Sequence, residues 1–458
     1  MMARLRLPPS HHLRPHPSLI HAILAAAEPF SPLVPKMRET DVGSAGIVPP
    51  NGSGSGPGPS IEELEAVGRG FVGIANSFES PRPNLQANLS FGEFHLAKAR
   101  REVEAALLTS NQRPLEWLQA GILASYCLLE RCRIMEMFFI AAALVRSLAP
   151  TGIDKMPNSG RDALPTRSVF EAPESSIVEY EQRQCLWQAY LIDVYGAGPP
   201  KFFEPCLADE KEQVTTTLPK LMGSVEDDTK LLLSEQTLRS EDLFRADHSD
   251  TFNLHVKSAC LLKRARLMTS RKGHLLERMP SPPEDAKVIN DHISQLMDTF
   301  PRRQGIDSDW VVAEANMCVA RFTLHQHFVG AGLDANSTWG RGPIERAAEK
   351  MLETVHFLLA SSYDLSLLHA QTFICWLVLV RVLEVKARLL KRLWQSGSAA
   401  QVQVSIDSVM QALAGAAEKS LRAKTSLQIC RAAAEQDLSD DEFADLVYLW
   451  QAIPTAGS

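Results

Sequence analysis

The sequence holds no C-x-x-C pair, no H-E-x-x-H run, no G-x-x-x-x-G-K-S/T loop and no G-x-G-x-x-G after a strand. Each absence removes a chemistry. Zinc modules need closely spaced soft ligands, and phosphate loops need glycines that let backbone amides reach the phosphates. Eight cysteines are present, Cys127, Cys132, Cys185, Cys206, Cys260, Cys318, Cys375 and Cys430, but they are scattered. Most sit in apolar helical text, which reads as buried reduced thiols of an intracellular protein rather than a disulfide framework. No stretch reaches about 18 uninterrupted apolar residues. The strongest, Phe373 to Val380, ends at Arg381 and Glu384 and reads as a core helix. Arg4 and Arg6 run into Pro8 and Pro9 instead of an apolar core, so no secretory leader is read. The net charge of −7 gives no general drive towards nucleic acid or anionic membrane. Strand alternation and fixed-period repeats are both lacking.

What is present is helical text. Hydrophobic residues make up 45% of the chain, ample for a core. The run from Pro114 to Pro150 stands out. Leu118, Ile122, Ser125 and Leu129 mark one face of a first helix, and Phe138, Ala141, Ala142 and Val145 mark a second. Glu130, Arg131 and Arg133 interrupt them. Small alanines let a neighbouring helix approach closely, so this reads as a mostly buried antiparallel pair on which other helices pack. The expected fold is all-α, a large multi-helix domain with long irregular loops between helices.

In chain order, residues 1–15 form a basic, proline-rich tail, and 16–35 hold a short first helix, Pro17 to Glu28. Residues 36–60 are a Gly/Pro/Ser linker. A continuous helical body spans 61–453, and 454–458 form a tail. Within it, helices are expected over 61–78, 91–108, 177–195, 225–244, 250–276, 284–299, 309–328, 343–361, 366–395, 405–435 and 439–452. Ser90 with Glu93, and Ser176 with Glu179, have capping-box spacing. The stretches 150–175 and 196–219 are longer than ordinary connections, so they are mobile or laid over a groove.

Candidate sites are few. Gly52-Ser53-Gly54-Ser55-Gly56 satisfies the wording of a nucleophile elbow, but it lies in linker with no strand before it. His325 and His327 are two apart and would not share a helix face, so they read as surface or core residues. The acidic runs at Glu226–Asp228 and Asp440–Glu442 read as helix starts. Trp187, Tyr190, Phe202 and Phe203 read as core, or as the lining of a pocket or partner surface. One basic stretch holds Lys257, Lys263, Arg264, Arg266, Arg271 and Lys272, and a second holds Lys386, Arg388, Lys391 and Arg392. Both read as solvated helix faces, with a partner or phosphate contact surface at Lys263, Arg264, Arg266, Arg271 and Lys272 as the functional reading.

Several segments resemble a known family in order and spacing. They are HPSLIHAILAAA from His16, Ala99-Arg100, LEWLQAGILASYCLLERCR from Leu115, MFFIAAALVRSLA from Met137, EYEQRQCLWQAYLID from Glu179, and Leu218-Pro219. Together they resemble the fungal-specific transcription-factor regulatory domain, the middle homology region of Zn2Cys6 binuclear-cluster regulators, over residues 16–220. Gln184-Cys185-Leu186-Trp187-Gln188 stands where the family has a more basic, tryptophan-rich form. The resemblance implies an all-α regulatory body, nuclear and not an enzyme, that controls RNA polymerase II transcription by ligand- or partner-dependent exposure of a surface. It implies the transcriptional machinery or another transcription factor as partner, a small-molecule effector, indirect contact with DNA, no membrane, and leaves a homodimer open. Zinc belongs to the family's upstream cysteine cluster, and no cofactor is expected in this chain. The other readings are a helical interaction subunit without a DNA module, and a helical enzyme acting on a small hydrophobic metabolite.

Overall fold

Pro17 opens the first helix, α1 (Pro17–Ala27), where its missing N–H costs nothing. The structure, a computed structural model, describes residues 15–30, 90–108, 113–156, 176–197, 205–207, 214–219, 236–245, 250–276, 282–301, 305–331 and 339–435. Among the described residues it is all-α. Twelve α-helices follow one another: α1, α2 (Phe91–Leu108), α3 (Pro114–Glu130), α4 (Ile134–Thr151), α5 (Ser176–Gly196), α6 (Thr251–Leu276), α7 (Glu284–Asp298), α8 (Ser308–His325), α9 (Arg341–Ala360), α10 (Ala370–Arg392), α11 (Ser396–Ala416) and α12 (Leu421–Glu435). Their buried side chains form one contiguous core from Ala22 to Cys430.

The pair α3–α4 packs as the small residues require. A Cβ on Gly121 would lie 2.6 Å from Leu144 Cδ2, and Leu144 is fully buried, so the Leu144 side chain packs directly onto this glycine. Gly121→Val is expected to destabilise the fold by about 1–3 kcal/mol through overpacking, read as a lower urea midpoint. The charged interruption is the turn itself. Arg131 bridges Glu28 at 3.1 Å and Glu93 at 2.9 Å, and Arg133 bridges Glu93 at 2.8 Å. Glu28 also accepts from the Gly92 backbone N–H at 2.8 Å. Three arginine–carboxylate links thus tie α1, α2 and the α3–α4 turn together. The helix α4 is long and apolar enough to cross a bilayer. Its Met137, Ile140, Ala141, Leu144, Val145 and Leu148 are nonetheless buried in the shared core, where α4 packs on α3 and α5.

The element buried on every side is α8, not α3 or α4. All residues from Trp310 to His325 are buried, and α6, α7, α9 and α10 surround them. A helix wrapped all round needs no amphipathic stripe. Glu314, Asn316 and Arg321 dilute its apolar text, so its central place was hidden in the sequence.

Boundaries at α2 to α5 follow the pattern. The expected helix 405–435 is two helices. Residues 417–420 break it, and Ser420 caps α12 by accepting from Ala423 N at 3.0 Å. The chain 366–395 begins instead with a 3-10 turn, Leu365–Leu367. In the expected helix 225–244, residues 236–244 are turns and irregular chain. The expected helices 61–78 and 439–452 and the linker 36–60 lie outside the described residues.

Candidate functional site

Five helices bring polar side chains into one place. Tyr195 closes α5, His255 and Ser258 lie one turn apart on α6, Asp309 and Asn316 lie on α8, and His369 caps α10 ahead of Gln371 and Cys375. Tyr126 on α3 packs its ring at 90° to His369, with centroids 5.2 Å apart. Its hydroxyl donates to Gln188 Oε1 at 2.6 Å.

The hydrogen bonds form a consistent chain. Asn316 Nδ2 donates to the Tyr195 hydroxyl at 3.0 Å and to Ser258 Oγ at 3.3 Å. Tyr195 therefore spends its own proton on His255 Nε2, 2.5 Å away. That leaves His255 Nδ1 as the donor to Asp309 Oδ1 at 2.8 Å. At the other end, the Cys375 thiol donates to Asn316 Oδ1 at 3.7 Å. Burial works against the Asp309 carboxylate, but the hydrogen bond from His255 holds its pKa below the usual range. Burial pushes the Tyr195 phenol well up and the Cys375 thiol to about 12, so both keep their protons. Such a chain fixes α5, α6, α8 and α10 in register. Tyr195 both donates and accepts within it, so its oxygen is fully engaged.

The first turn of α10 is the unsatisfied part. His369 Nδ1 accepts from Gln371 N at 3.1 Å, which puts the ring proton on Nε2. That Nε2 is buried and has no hydrogen-bond partner, and neither have Gln371 Oε1 and Thr372 Oγ1. Burial, with the nearby His255, lowers the His369 pKa to about 3. Each unsatisfied buried group costs about 1–3 kcal/mol, so this turn is where the junction is least committed to one arrangement.

The chain matches no family model, no curated protein and no solved structure.

The residues singled out in the sequence fall elsewhere. Trp187 and Tyr190 are fully buried and pack edge to face at 5.7 Å. The Trp187 indole donates to Thr217 O at 3.0 Å. They hold the segment 214–219 against α5. Phe202 and Phe203 lie outside the described residues. Of the basic stretch, the described side chains are Lys257, Lys263, Arg264 and Arg266. Lys263 is 1% exposed and donates to Leu207 O, while its ammonium also sits over the Tyr190 ring at 5.2 Å. Lys257 is fully buried as well. Arg264 covers Phe244 at 5.4 Å, and Arg266 donates to Val194 O at 3.3 Å. These cations face inward because α6 packs on both α5 and α8, leaving it little solvated face. The side chains of Arg271 and Lys272 lie outside the described residues. The eight cysteines are free, and six are buried. Among the described residues no three metal-ligating side chains gather. Tyr195, His255, Asp309, Asn316 and His369 escaped the sequence reading. Their one signal is a polar residue on an otherwise apolar helix, clearest for Asn316 in AEANMCVARF.

Asn316 is the hub of the junction. Asn316→Ala is expected to cost about 2–4 kcal/mol, because Tyr195, Ser258 and Cys375 each lose a partner in a buried setting. Thermal unfolding of this variant beside Ser258→Ala, which removes one branch only, reads the difference.

Proposed function

We propose that this chain is the regulatory body of a fungal transcription factor, acting in the nucleus through a partner that reads DNA. What supports the reading is the packing of the segments that carry the resemblance. Residues 17–27 fall in α1, 115–130 in α3, 137–149 in α4 and 179–193 in α5. Helix α1 lies on α3, α3 on α4, and both α3 and α4 on α5, so the resembling segments form one neighbourhood.

The mechanism follows from the junction. A regulator must hold two arrangements whose balance a small molecule or protein partner biases. The described parts of the two long loops are tied down. Asp193 accepts from Cys206 N at 2.9 Å and Leu207 N at 3.1 Å, and Asp154 O accepts from Thr215 N at 2.9 Å. We place the two-state element at the first turn of α10 instead. There a shift of one helix re-pairs His369, Gln371 and Thr372, and the chain from Asp309 to Cys375 passes the shift to α5, α6 and α8.

The test is transcriptional. The whole chain, fused to a foreign DNA-binding domain in a fungal cell, is expected to drive a reporter whose output changes by roughly fivefold or more with growth condition. His369→Phe, which keeps the ring and removes the orphaned N–H, is expected to lock one output level. Constant output from the wild-type fusion in all conditions overturns the reading.

A further inference from the structure

We propose that Arg266 anchors a binding site for a small organic monocarboxylate where α5, α6 and α10 meet. The proposal rests on the regulatory reading above and names the chemical class of its small-molecule effector. Arg266 reaches from α6 to the end of α5, where its Nη1 donates to Val194 O at 3.3 Å. Val194 is one of the last four residues of α5, whose carbonyls have no partner within the helix. Tyr195 on α5 and Cys375 on α10 lie within electrostatic reach of the same guanidinium.

Among the described residues no carboxylate balances this cation. Other buried arginines hold one. Arg183 bonds Glu179 at 2.7 Å, and Arg381 bonds Glu384 at 3.0 Å. Arg266 has only a carbonyl, a phenol and a thiol around it. Burial keeps the Tyr195 phenol and the Cys375 thiol protonated, so neither supplies negative charge. The carbonyl end of a helix offsets only part of a charge. A cation left unbalanced inside a protein is costly, and an incoming anion relieves that cost.

The site is open to a ligand. Burial lowers the Arg266 pKa, which sets the guanidinium deep in the molecule. The side chain nonetheless keeps part of its surface accessible. Among the described residues its Nε and Nη2 have no partner, yet they are not sealed from solvent. A deep guanidinium with open N–H groups lines a crevice. With Nη1 held by Val194, the free edge is Nε with Nη2, whose parallel N–H bonds match the two oxygens of a carboxylate. One cation selects one negative charge, since a dianion would bring a second charge with no partner. The Tyr195 ring and the Cys375 thiol suit an apolar body on the ligand. Cys375 also takes a bond from Gln371 Nε2 at 3.7 Å, so a ligand on Arg266 meets the side chains that lead to the first turn of α10.

The test is binding to the full, pure chain at neutral pH and fixed ionic strength. The probes are acetate, butyrate and benzoate, each beside its neutral amide. At about 20 mM, a carboxylate that binds with millimolar affinity is expected to raise the unfolding temperature by about 2 °C, and its amide to leave it unmoved. Equilibrium dialysis with labelled benzoate gives the affinity directly. Arg266→Gln removes the unbalanced cation. It is expected to unfold at the wild-type temperature or above and to bind about tenfold more weakly or less. Arg266→Lys keeps the charge without the paired N–H edge and should bind about fivefold more weakly. If none of the three carboxylates binds the wild type, the proposal is overturned and Arg266 only caps α5. Equal binding by wild type and Arg266→Lys overturns it too, because the carboxylates then bind elsewhere. The reporter test stays separate. A condition-dependent reporter without carboxylate binding sinks this site alone, and a constant reporter with carboxylate binding sinks the regulatory reading alone.

Discussion

Acidifying the protein from pH 7 to pH 5 is expected to remove about 4 kcal/mol of stability through His325 and His369, about 2 kcal/mol from each. Burial is the main cause in both, and it brings each pKa down from the ordinary 6.5 to about 3. The folded chain therefore binds fewer protons than the unfolded chain below pH 6.5. Stability is complete above that value and is lost progressively as pH falls towards 3. The structural reason is the same at both sites. His325 donates from Nε2 to Asn290 Oδ1 at 2.8 Å and accepts at Nδ1 from Gly340 N at 3.3 Å. His369 accepts at Nδ1 from Gln371 N. Gly340 and His369 are the N-caps of α9 and α10. Protonating either Nδ1 turns an acceptor into a donor facing a donor, and loosens the start of a core helix. Burial raises the pKa values of the Glu130, Asp154, Asp193 and Glu384 carboxyls, which opposes the trend. The comparison that isolates the histidines is the pH slope of the urea midpoint in wild type against His325→Gln/His369→Gln. A flatter slope in the double variant is expected; equal slopes refute the assignment.

The helices could be read from the sequence where local chemistry fixed their ends. Pro17 at the start of α1, Ser90 accepting from Glu93 N at 3.2 Å before α2, and the apolar spacing of α5 all sat in contiguous text. The capping box at Ser90 is only half used, because the Glu93 carboxylate is taken by Arg131 and Arg133 from another turn of the chain. Tertiary charge pairing overrides the local motif there. The break between α11 and α12 carried no proline or glycine, and its cap, Ser420, resembles any other serine in a polar stretch. What holds it is distant: Lys419 bonds Asp364, and Arg422 N reaches Glu130 Oε1 at 3.5 Å.

The junction was illegible for a related reason. Tyr195, His255, Asp309, Asn316 and His369 are dispersed over four helices, and no spacing rule links them. The sequence offered two basic stretches and an aromatic helix instead. Lys257 and Lys263 of the first basic stretch turn inward because α6 is packed on two sides. A charge on a helix enclosed by neighbours must find a partner inside, and Lys263 shows where that leads.

Removing the partner should be severe. Asp193→Ala is expected to cost about 3–5 kcal/mol. Asp193 is 1% exposed, accepts from the backbone amides of Cys206 and Leu207, and lies within electrostatic reach of Lys263. Without its carboxylate, two amides lose their acceptor and the buried ammonium of Lys263 loses a nearby charge of opposite sign. Desolvation makes the loss of one partner of a buried charge pair far more costly than the pair was worth. Two controls separate these terms. Asp193→Asn retains a side-chain acceptor for the amides and should cost less. Asp193→Asn/Lys263→Met removes both charges and should recover part of the loss of Asp193→Asn, a coupling that a double-mutant cycle measures. A local readout accompanies the global one. Because Asp193 ties residues 206 and 207 to α5, tryptic cleavage at Lys201 and Lys211 should quicken in Asp193→Ala below the unfolding temperature. If cleavage and unfolding midpoint both match wild type, the carboxylate does not anchor this segment.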